Sequence, residues 1–356
     1  MSFNYGNKFR ITIFGQSHAA CIGVVIEGIP AGVSLDMELI ARMMARRSPG
    51  NAPYATARKE EDFPEIVSGV VDGITCGAPL CAIIRNKDTR SHDYDALRTV
   101  PRPSHADFAA YCKYDGKNDV RGGGSFSGRM TAPLVFAGAV AMQLLREKGI
   151  TIGAHVAQIG AIKDDSFDPV DLQGDELDAL KAKDFCVIND EVGLQMRDAI
   201  AAAKQDGDSL GGIIECAALG VPVGTGEPMF GGVENEIARC VFAVPAVKGI
   251  EFGSGFAGAS LRGSENNDPF CLKGDLIRTE TNNHGGILGG LASGMPIVFR
   301  AAFKPTPSIA KSQKSVDLLT HEPVSLEIPG RHDPCVVPRA VPCIEAACAI
   351  ALVNLI

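Results

Sequence analysis

The sequence predicts a mixed α+β protein, and three features of the chain support this prediction. Short segments with an apolar residue at every second position alternate with longer segments whose apolar residues recur at helical spacing. Hydrophobic residues make up 46% of the 356 residues and charged residues 21%, which is typical of globular proteins. Low-complexity linkers do not interrupt the pattern. We therefore expect one or more large apolar cores.

The first part of the chain predicts strands followed by a helix. Residues 9–14 (FRITIF) alternate at period two, residues 24–26 (VVI) form a short apolar strand, and residues 28–32 (GIPAG) form a turn. The next helix is expected to begin at Asp36 and to end at Ser48. Its apolar stripe consists of Leu39, Ile40, Met43 and Met44.

Longer apolar patterns predict the remaining elements. Residues 131–148 are almost wholly apolar and predict a long buried helix that follows a glycine-rich loop. Further helices are predicted over residues 175–183 and 191–204, and a strand over residues 211–221. The C-terminal run 340–356 is shorter than the ~20 residues that span a bilayer, so it predicts a buried helix.

A weak internal similarity suggests two related halves. Residues 28–32 (GIPAG) recur as residues 220–224 (GVPVG), each time after an apolar strand and before a predicted helix that contains Ala-Arg. A five-residue match also arises by chance, and that alternative stays open. Two halves that share a core would make residues 1–356 a single domain.

The charge of the chain excludes several classes of partner. A net charge of −8 opposes binding to DNA, RNA and anionic membranes. A local arginine cluster can still hold a small anion, because salt screens exposed charges beyond roughly 8 Å. The expected partner is therefore a small molecule, neither a nucleic acid nor a membrane.

The cysteines and the N-terminus indicate the compartment. The chain has eleven cysteines, many of them in apolar runs, and no C-x-x-C pair. This pattern is typical of reduced thiols. Residues 1–7 lack the basic stretch and apolar segment of a signal peptide. We expect a cytoplasmic protein.

Two segments are suited to anion binding. Residues 121–129 (RGGGSFSGR) place consecutive glycines before a predicted helix, where backbone N–H groups can approach an anion. This segment matches neither the Walker nor the Rossmann pattern, and a flexible surface loop is the alternative. Arg46 and Arg47 end the first helix, where arginines are also common because cations suit a helix C-terminus.

Histidines in loops are candidates for proton transfer. His18 follows the first predicted strand, His105 lies in the turn 102–107 (RPSHAD), and His332 lies in residues 330–334 (GRHDP). Imidazole changes charge near neutral pH, although a structural role for each histidine is the alternative. The histidine and cysteine spacings do not predict a metal site.

Taken together and in order, these motifs resemble the chorismate synthase family, from Phe9 to the C-terminus. The segments that carry the resemblance are 14–18 (FGQSH), 102–107 (RPSHAD), 113–114 (KY), 121–124 (RGGG), 208–212 (DSLGG), 246–251 (AVKGIE), 282–290 (NNHGGILGG), 304–306 (KPT) and 330–335 (GRHDPC). The resemblance implies a single-domain β-α-β sandwich that assembles as a homotetramer. It also implies reduced FMN as cofactor, with NADPH as a candidate reductant, and 5-enolpyruvylshikimate-3-phosphate as substrate. The implied reaction is a redox-neutral anti-1,4-elimination of phosphate that gives chorismate in aromatic amino acid biosynthesis.

The resemblance also implies residue roles. His105 would assist the departure of phosphate, His18 would protonate the reduced flavin, and Asp333 would manage the proton at the reactive nitrogen of the flavin. Arg46 and Arg47 match positions associated with substrate phosphate or nucleotide. The implied FMN contacts are Ser125, Phe126, Ser127, Pro245, Ala246, Gly289, Lys304, Pro305, Thr306, Pro307, Ser308 and Arg331.

The sequence departs from the family pattern at several positions. Residues 125–131 read SFSGRMT where the family usually has Arg-Ser-Ser-Ala-Arg-Glu-Thr. Gln16 and Ala19 replace a family Glu and Gly, and Pro53 replaces an Arg. The change at Pro53 favours a supply of reduced flavin from elsewhere. A homologue that binds flavin or nucleotide but has lost turnover is the alternative function.

Overall fold

The helices of the computed structural model follow the periodic apolar segments of the sequence. The model describes residues 3–48, 62–86, 97–328 and 333–356. In this part of the chain the helices are α1 (Met37–Arg47), α2 (Asp107–Tyr114), α3 (Thr131–Arg146), α4 (Gly174–Lys181), α5 (Asp190–Gln205), α6 (Val233–Val241), α7 (Gly263–Asn266) and α8 (Val337–Leu355). The predicted cap of α1 is confirmed, since the Asp36 carboxylate accepts a hydrogen bond from the Leu39 amide at 2.8 Å.

Most strands belong to two five-stranded sheets, and the others form short hairpins. In chain order the strands are β1 (Asn4–Tyr5), β2 (Arg10–Gly15), β3 (Cys21–Glu27), β4 (Glu65–Ser68), β5 (Val70–Val71), β6 (Ile74–Thr75), β7 (Leu80–Arg85), β8 (Thr151–Ile159), β9 (Ile162–Lys163), β10 (Gly212–Leu219), β11 (Val247–Phe252), β12 (Phe270–Lys273), β13 (Leu276–Thr279), β14 (Ile287–Leu288), β15 (Leu291–Ala292), β16 (Ile297–Phe303), β17 (Gln313–Val316) and β18 (Pro323–Leu326). The first sheet has the order β1-β2-β3-β7-β4 and the second the order β11-β16-β10-β8-β9. Neighbouring strands in both sheets are antiparallel.

The two sheets enclose a central layer of helices. Helix α3 packs on β2, β3 and β7 of the first sheet, whereas α8 packs on β8 and β10 of the second. The two helices contact each other at Gly138, where an added Cβ would lie 2.2 Å from the Cβ of Ala346. The fold is therefore the expected α+β arrangement, a β-α-β sandwich with one apolar cluster spanning all three layers.

Helix α8 carries a carboxylate in the interior of this layer. Glu345 is fully buried, accepts a hydrogen bond from the Ala154 amide at 3.1 Å and pairs with Arg46. The helix thereby ties α1 to β8. Both Gly128–Arg146 and Val337–Leu355 are long and apolar enough to cross a membrane, but 89% and 78% of their most apolar windows are buried inside the protein. This burial is typical of core helices.

The two halves follow a similar order of elements. Strand β3 is followed by a turn at residues 28–32 and then α1, and β10 is followed by a turn at residues 220–224 and then α6. In both turns the first and last glycines have positive φ, which an L side chain rarely adopts. The parallel supports the proposal of two related halves around one core, and hence of a single domain.

Candidate active site

A glycine loop lies between the two predicted catalytic histidines. The chain turns after β2, and the Ser17 amide donates to the Gly124 carbonyl at 3.2 Å. A Cβ added at Gly122 would lie 2.3 Å from His18 Cε1, and one added at Gly123 would lie 3.4 Å from His105 Nε2. Both glycines have positive φ. Glycine is therefore required at position 122 for the close approach to His18, and the positive φ favours glycine at both positions.

His105 is held in a short turn that precedes α2. Its Nδ1 lies 2.5 Å from Oδ1 of Asp107, the first residue of that helix. Arg102 binds the same carboxylate with two donors, Nε at 2.7 Å and Nη2 at 2.8 Å. Burial raises the pKa of Asp107, but the bonds from Arg102 and His105 outweigh it and hold this pKa well below its ordinary value. Asp107 is therefore an ionised, fixed partner of His105.

The segment from Lys304 to Ser308 packs against the His105 turn. Lys304 Nζ donates to the carbonyl of Ser104 at 2.9 Å, and Arg102 Nη1 donates to Ser308 Oγ at 3.3 Å. The Lys304 amide donates to the Ala246 carbonyl at 3.0 Å, so Pro245 and Ala246 lie beside the same segment. Burial and then the charge of Lys248 lower the pKa of Lys304. This lysine is a partly desolvated cation next to His105.

Asp333 is joined to the other side of this segment. Arg339 Nη1 donates to Asp333 Oδ2 at 2.6 Å. The carbonyl of Pro334 accepts from the Leu210 amide at 2.8 Å, and Ser209 Oγ donates to the Thr306 carbonyl at 2.7 Å. Two hydrogen bonds, made by the neighbouring residues Leu210 and Ser209, therefore connect the segment of Asp333 and Pro334 with Thr306. Arg331 and His332 lie outside the described residues, as does Pro53.

Arg47 connects Asp333 back to the His18 turn. Its carbonyl accepts from Arg339 Nε at 3.1 Å, and its guanidinium pairs with the buried Asp62. Asp62 also pairs with Arg129 at 2.6 Å. Arg129 Nε donates to Asn86 Oδ1 at 2.5 Å, and Asn86 Nδ2 donates to the carbonyls of Gln16 and Ala19 on either side of His18.

These contacts close on themselves, and we call them the site ring. Its members, joined either by a contact or through the chain, are in order the His18 turn (residues 16–19), Asn86, Arg129, Asp62, Arg47, Arg339, Asp333, Pro334, Leu210, Ser209, Thr306, Ser308, Arg102, His105 and the glycine loop (residues 121–129). All three predicted catalytic residues belong to the site ring. So do Arg47 and the segment from Lys304 to Ser308, which come from distant parts of the sequence.

Two hydroxyl groups of the site ring region have no hydrogen-bond partner among the described residues. They are Ser17 Oγ, beside the glycine loop, and Thr306 Oγ1. A buried polar atom without a partner costs free energy, about 1–3 kcal/mol, so such atoms are normally satisfied. Both atoms are therefore available to hydrogen-bond a ligand.

Arg46 and Gly289 lie apart from the site ring. Arg46 makes a bidentate ion pair with the buried Glu345, at 2.6 and 3.0 Å. Burial opposes its charge, but Glu345 outweighs this effect and raises the pKa of Arg46. Gly289 lies at the exposed tip of the β14–β15 hairpin, whose Gly290 carbonyl accepts from the Val233 amide at the start of α6. Ligand binding by these two residues stays a prediction.

The altered part of the glycine loop has mixed exposure. Ser127 Oγ accepts from the Arg129 amide at 3.3 Å, which caps the short turn before α3. Ser125 is half-buried, whereas the Phe126 side chain is 40% exposed. FMN contacts at these three positions stay predictions.

Several site residues were not identified by sequence reasoning. Asp62, Asn86 and Arg339 join the ring through partners that include Arg129, 67 and 43 residues away, and Arg47, 292 residues away. Local patterns carry no signal for such distant pairs. Asp107 could have been identified from the sequence, because it follows His105 by two residues in the RPSHAD turn. Asp119 also lies next to a motif of the sequence. It pairs with Arg121 beside the glycine loop, and the bonds from Arg121, with a smaller contribution from His18, lower the pKa of Asp119.

Comparison with known proteins agrees with the sequence motifs. The family model described as chorismate synthase matches residues 9–356. A chorismate synthase of Dehalococcoides mccartyi is 47% identical over 355 residues and covers 100% of this chain and 96% of its own length. One of Korarchaeum cryptofilum is 46% identical over 351 residues, covering 98% and 96%. A solved structure titled as a crystal structure of chorismate synthase superposes with a TM-score of 0.77 at 29% identity, covering 99% of this chain and 92% of its own.

Proposed function

Because the chain belongs to the chorismate synthase family, we propose that the site ring is the active site of a carbon–oxygen lyase acting on a phosphate ester. The substrate is 5-enolpyruvylshikimate-3-phosphate and the reaction is the anti-1,4-elimination of phosphate, giving chorismate. The observation that supports this proposal is the glycine loop, whose Gly122 lies against His18 and whose Gly123 lies beside His105, with Asp333 linked to the same region through Arg339 and Arg47. In the sequence His18, His105 and Asp333 are 87 and 228 positions apart.

The residues of the site fit reduced FMN as cofactor. The glycine loop leaves a surface that a Cβ would fill, and the unpartnered Thr306 hydroxyl lies on the predicted FMN segment. Lys304 supplies a partly desolvated cation that suits a ligand phosphate. Residues that would hold the cofactor are Pro245, Ala246, Lys304, Pro305, Thr306, Pro307 and Ser308, together with the glycine loop. Reduced FMN supplies, when bound, an electron that the departure of phosphate needs and that returns at the end, so no net oxidation occurs.

The protein's own groups favour the departure of an anion. Five arginines pair with four carboxylates around the site, and Lys304 adds a sixth cation whose partner is the Ser104 carbonyl. The arginines are Arg47, Arg102, Arg121, Arg129 and Arg339, and the carboxylates are those of Asp62, Asp107, Asp119 and Asp333. The positive excess stabilises the negative charge that develops on the leaving phosphate. His105 donates the proton at Nε2 to a phosphate oxygen, His18 holds a proton for the cofactor, and Asp333 manages the proton at the reactive nitrogen of the flavin.

The oligomeric state, the location and the source of reduced flavin complete the proposal. A homotetramer is supported by the β12–β13 hairpin, whose apolar side chains are mostly exposed; they are Phe270, Leu272, Leu276 and Ile277. A cytoplasmic location is supported by the eleven free cysteines. NADPH is a candidate reductant, and a separate supply of reduced FMN is favoured by Pro53.

Phosphate release under anaerobic conditions tests the proposed function. The purified protein is mixed with 5-enolpyruvylshikimate-3-phosphate and photoreduced FMN, and inorganic phosphate is measured over time. We expect release with reduced FMN and none with oxidised FMN. Tight FMN binding without phosphate release would instead identify a homologue that has lost turnover, which the altered loop at Ser125 and Phe126 would explain.

A further inference from the structure

We propose that Asp107 is a positioning residue: it keeps a proton on Nδ1 of His105 and thereby directs Nε2 of that histidine towards the reacting phosphate. The proposal deepens the proposed function and rests on it for the identity of the reaction. The arrangement itself is independent of that identity, since it is fixed by contacts within the protein.

The distance between the two residues determines which nitrogen carries the proton. His105 Nδ1 and Asp107 Oδ1 are 2.5 Å apart. An ionised carboxylate only accepts hydrogen bonds, and the pKa of Asp107 lies well below its ordinary value. His105 Nδ1 must therefore be the donor. In the neutral imidazole the lone pair is then on Nε2, and in the imidazolium Nε2 carries the transferable proton.

Arg102 does not compete for the Nδ1 position. Its Nη2 lies 3.0 Å from Nδ1 and 3.2 Å from Nε2 of His105. An atom at nearly equal distances from both ring nitrogens lies over the face of the ring and not along either lone pair. The guanidinium thus packs on the imidazole and leaves the hydrogen bond between Nδ1 and Asp107 intact.

The Asp107 carboxylate is immobilised on all sides. Arg102 binds it with Nε and Nη2, and the Arg102 backbone amide donates to Oδ2 at 3.0 Å. The side chain is only 5% exposed and begins α2, where the helix dipole favours a negative charge. A fixed acceptor of this kind orients an imidazole more firmly than solvent does.

The orientation places the reactive nitrogen of His105 at the glycine loop. His105 Nε2 lies 3.4 Å from the position of a Cβ on Gly123, and we place the substrate phosphate on this side of the glycine loop, beside the cofactor. As the carbon–oxygen bond breaks, its electron pair leaves with the phosphate and the Nε2 proton moves to a phosphate oxygen. His105 is left neutral with its proton on Nδ1, and solvent returns the lost proton.

Asp107→Asn should reverse the neutral tautomer. Two Arg102 donors, the backbone N–H and Nε, meet Oδ2, whereas only Nη2 meets Oδ1, so the amide oxygen of Asn is expected to take the place of Oδ2. The amide NH₂ then faces His105 Nδ1 and donates to it, which moves the imidazole proton to Nε2. NMR of ¹⁵N-labelled histidine distinguishes the tautomers, and the spectrum of His105→Ala assigns the resonance. Asp115→Asn, an exposed residue at the end of α2 paired with Lys117, is the matched control.

Turnover provides the second measurement. We expect His105→Ala to reduce the kcat for phosphate release about a hundredfold or more, Asp107→Asn about tenfold or more with a smaller change in KM, and Asp115→Asn not at all. Because Asp107 acts through His105, the double variant His105→Ala/Asp107→Asn should be no slower than His105→Ala. A residue with a merely structural role would slow the double variant further and would leave the tautomer of His105 unchanged.

The two measurements separate the possible failures. A neutral Nε2–H tautomer in the wild-type protein would overturn the proposal even if Asp107→Asn did not fold. Additive kinetic losses in the double variant would also overturn it. Wild-type protein with the Nδ1–H tautomer but without phosphate release would leave the arrangement standing and refute the proposed function.

Discussion

His18 and His105 both lie beside the glycine loop. At Gly122 the loop is so close to His18 that a single added methyl group would disturb the packing. Gly122 has a φ of 58°, which costs an L side chain free energy, and its added Cβ would lie 2.5 Å from Ser17 Oγ as well as 2.3 Å from His18 Cε1. The contact with Gly122 therefore limits where the His18 ring can lie. The sequence shows the glycines and the histidines but not that they touch.

Gly122→Ala is expected to displace the His18 ring and to reduce turnover about tenfold or more. Its positive φ adds a cost of about 1 kcal/mol in stability. Gly128→Ala is the matched control, because that glycine lies in the same loop, has no positive φ and has open space where its Cβ would be. Phosphate release and thermal unfolding are measured for both variants. Equal turnover in the two variants would show that the glycine loop does not position His18.

The adjacent residues Arg46 and Arg47 belong to one sequence motif but lie in different environments. The sequence predicts that both bind ligand, and helical geometry predicts only that they point in different directions. In the structure Arg46 turns to the buried Glu345 of α8, whereas Arg47 turns to Asp62 and the site ring. The sequence does not distinguish them, since their partners are 299 and 15 residues away.

At the scale of elements, the sequence predicts helices better than sheet order. The predicted segments 131–148, 175–183 and 191–204 correspond to α3, α4 and α5 with small shifts at their ends. The predicted strand 211–221 corresponds to β10. The order β11-β16-β10-β8-β9 was not predictable, because every pairing except the β8–β9 hairpin joins strands that lie far apart in the chain, and local patterns do not record such pairings.

The second sheet carries a row of charged residues on neighbouring strands, and the sequence pattern does not predict that these residues are neighbours. His155, Glu215, Arg300 and Glu251 lie directly opposite one another on four adjacent strands. His155 is fully buried between Asp164, 3.1 Å from Nδ1, and Glu215, 3.1 Å from Nε2. Burial lowers the pKa of His155, but the two carboxylates outweigh it and raise this pKa above 6.5.

This row predicts a loss of stability at alkaline pH. Because the pKa of His155 is raised in the folded state, its contribution is fully present below pH 6.5 and disappears as the pH rises through the folded value. The melting temperature of wild-type protein should therefore fall over that range, and His155→Gln should make the profile flatter. His321→Gln, in the loop between β17 and β18, is the control and should keep the wild-type profile. An identical pH profile for all three proteins would contradict the expected role.

At the scale of the whole molecule, an acidic protein places a local excess of cations at the proposed site. The net charge is −8, yet six cations and four carboxylates surround the glycine loop and the site ring in the described part of the chain. The sheets and the α3–α8 layer bring together segments from both halves. The sequence predicted the cationic residue types and the family, whereas their closure into a ring depends on the tertiary fold.

A crystal structure with oxidised FMN and 5-enolpyruvylshikimate-3-phosphate tests the central claim most directly, because oxidised flavin does not support turnover and both ligands remain. We predict that the substrate phosphate contacts the glycine loop within hydrogen-bond distance of His105 Nε2. The FMN is predicted to contact Lys304 and the Thr306 hydroxyl. Electron density for both ligands at a distance from His105 and Lys304 would contradict the assignment of the site.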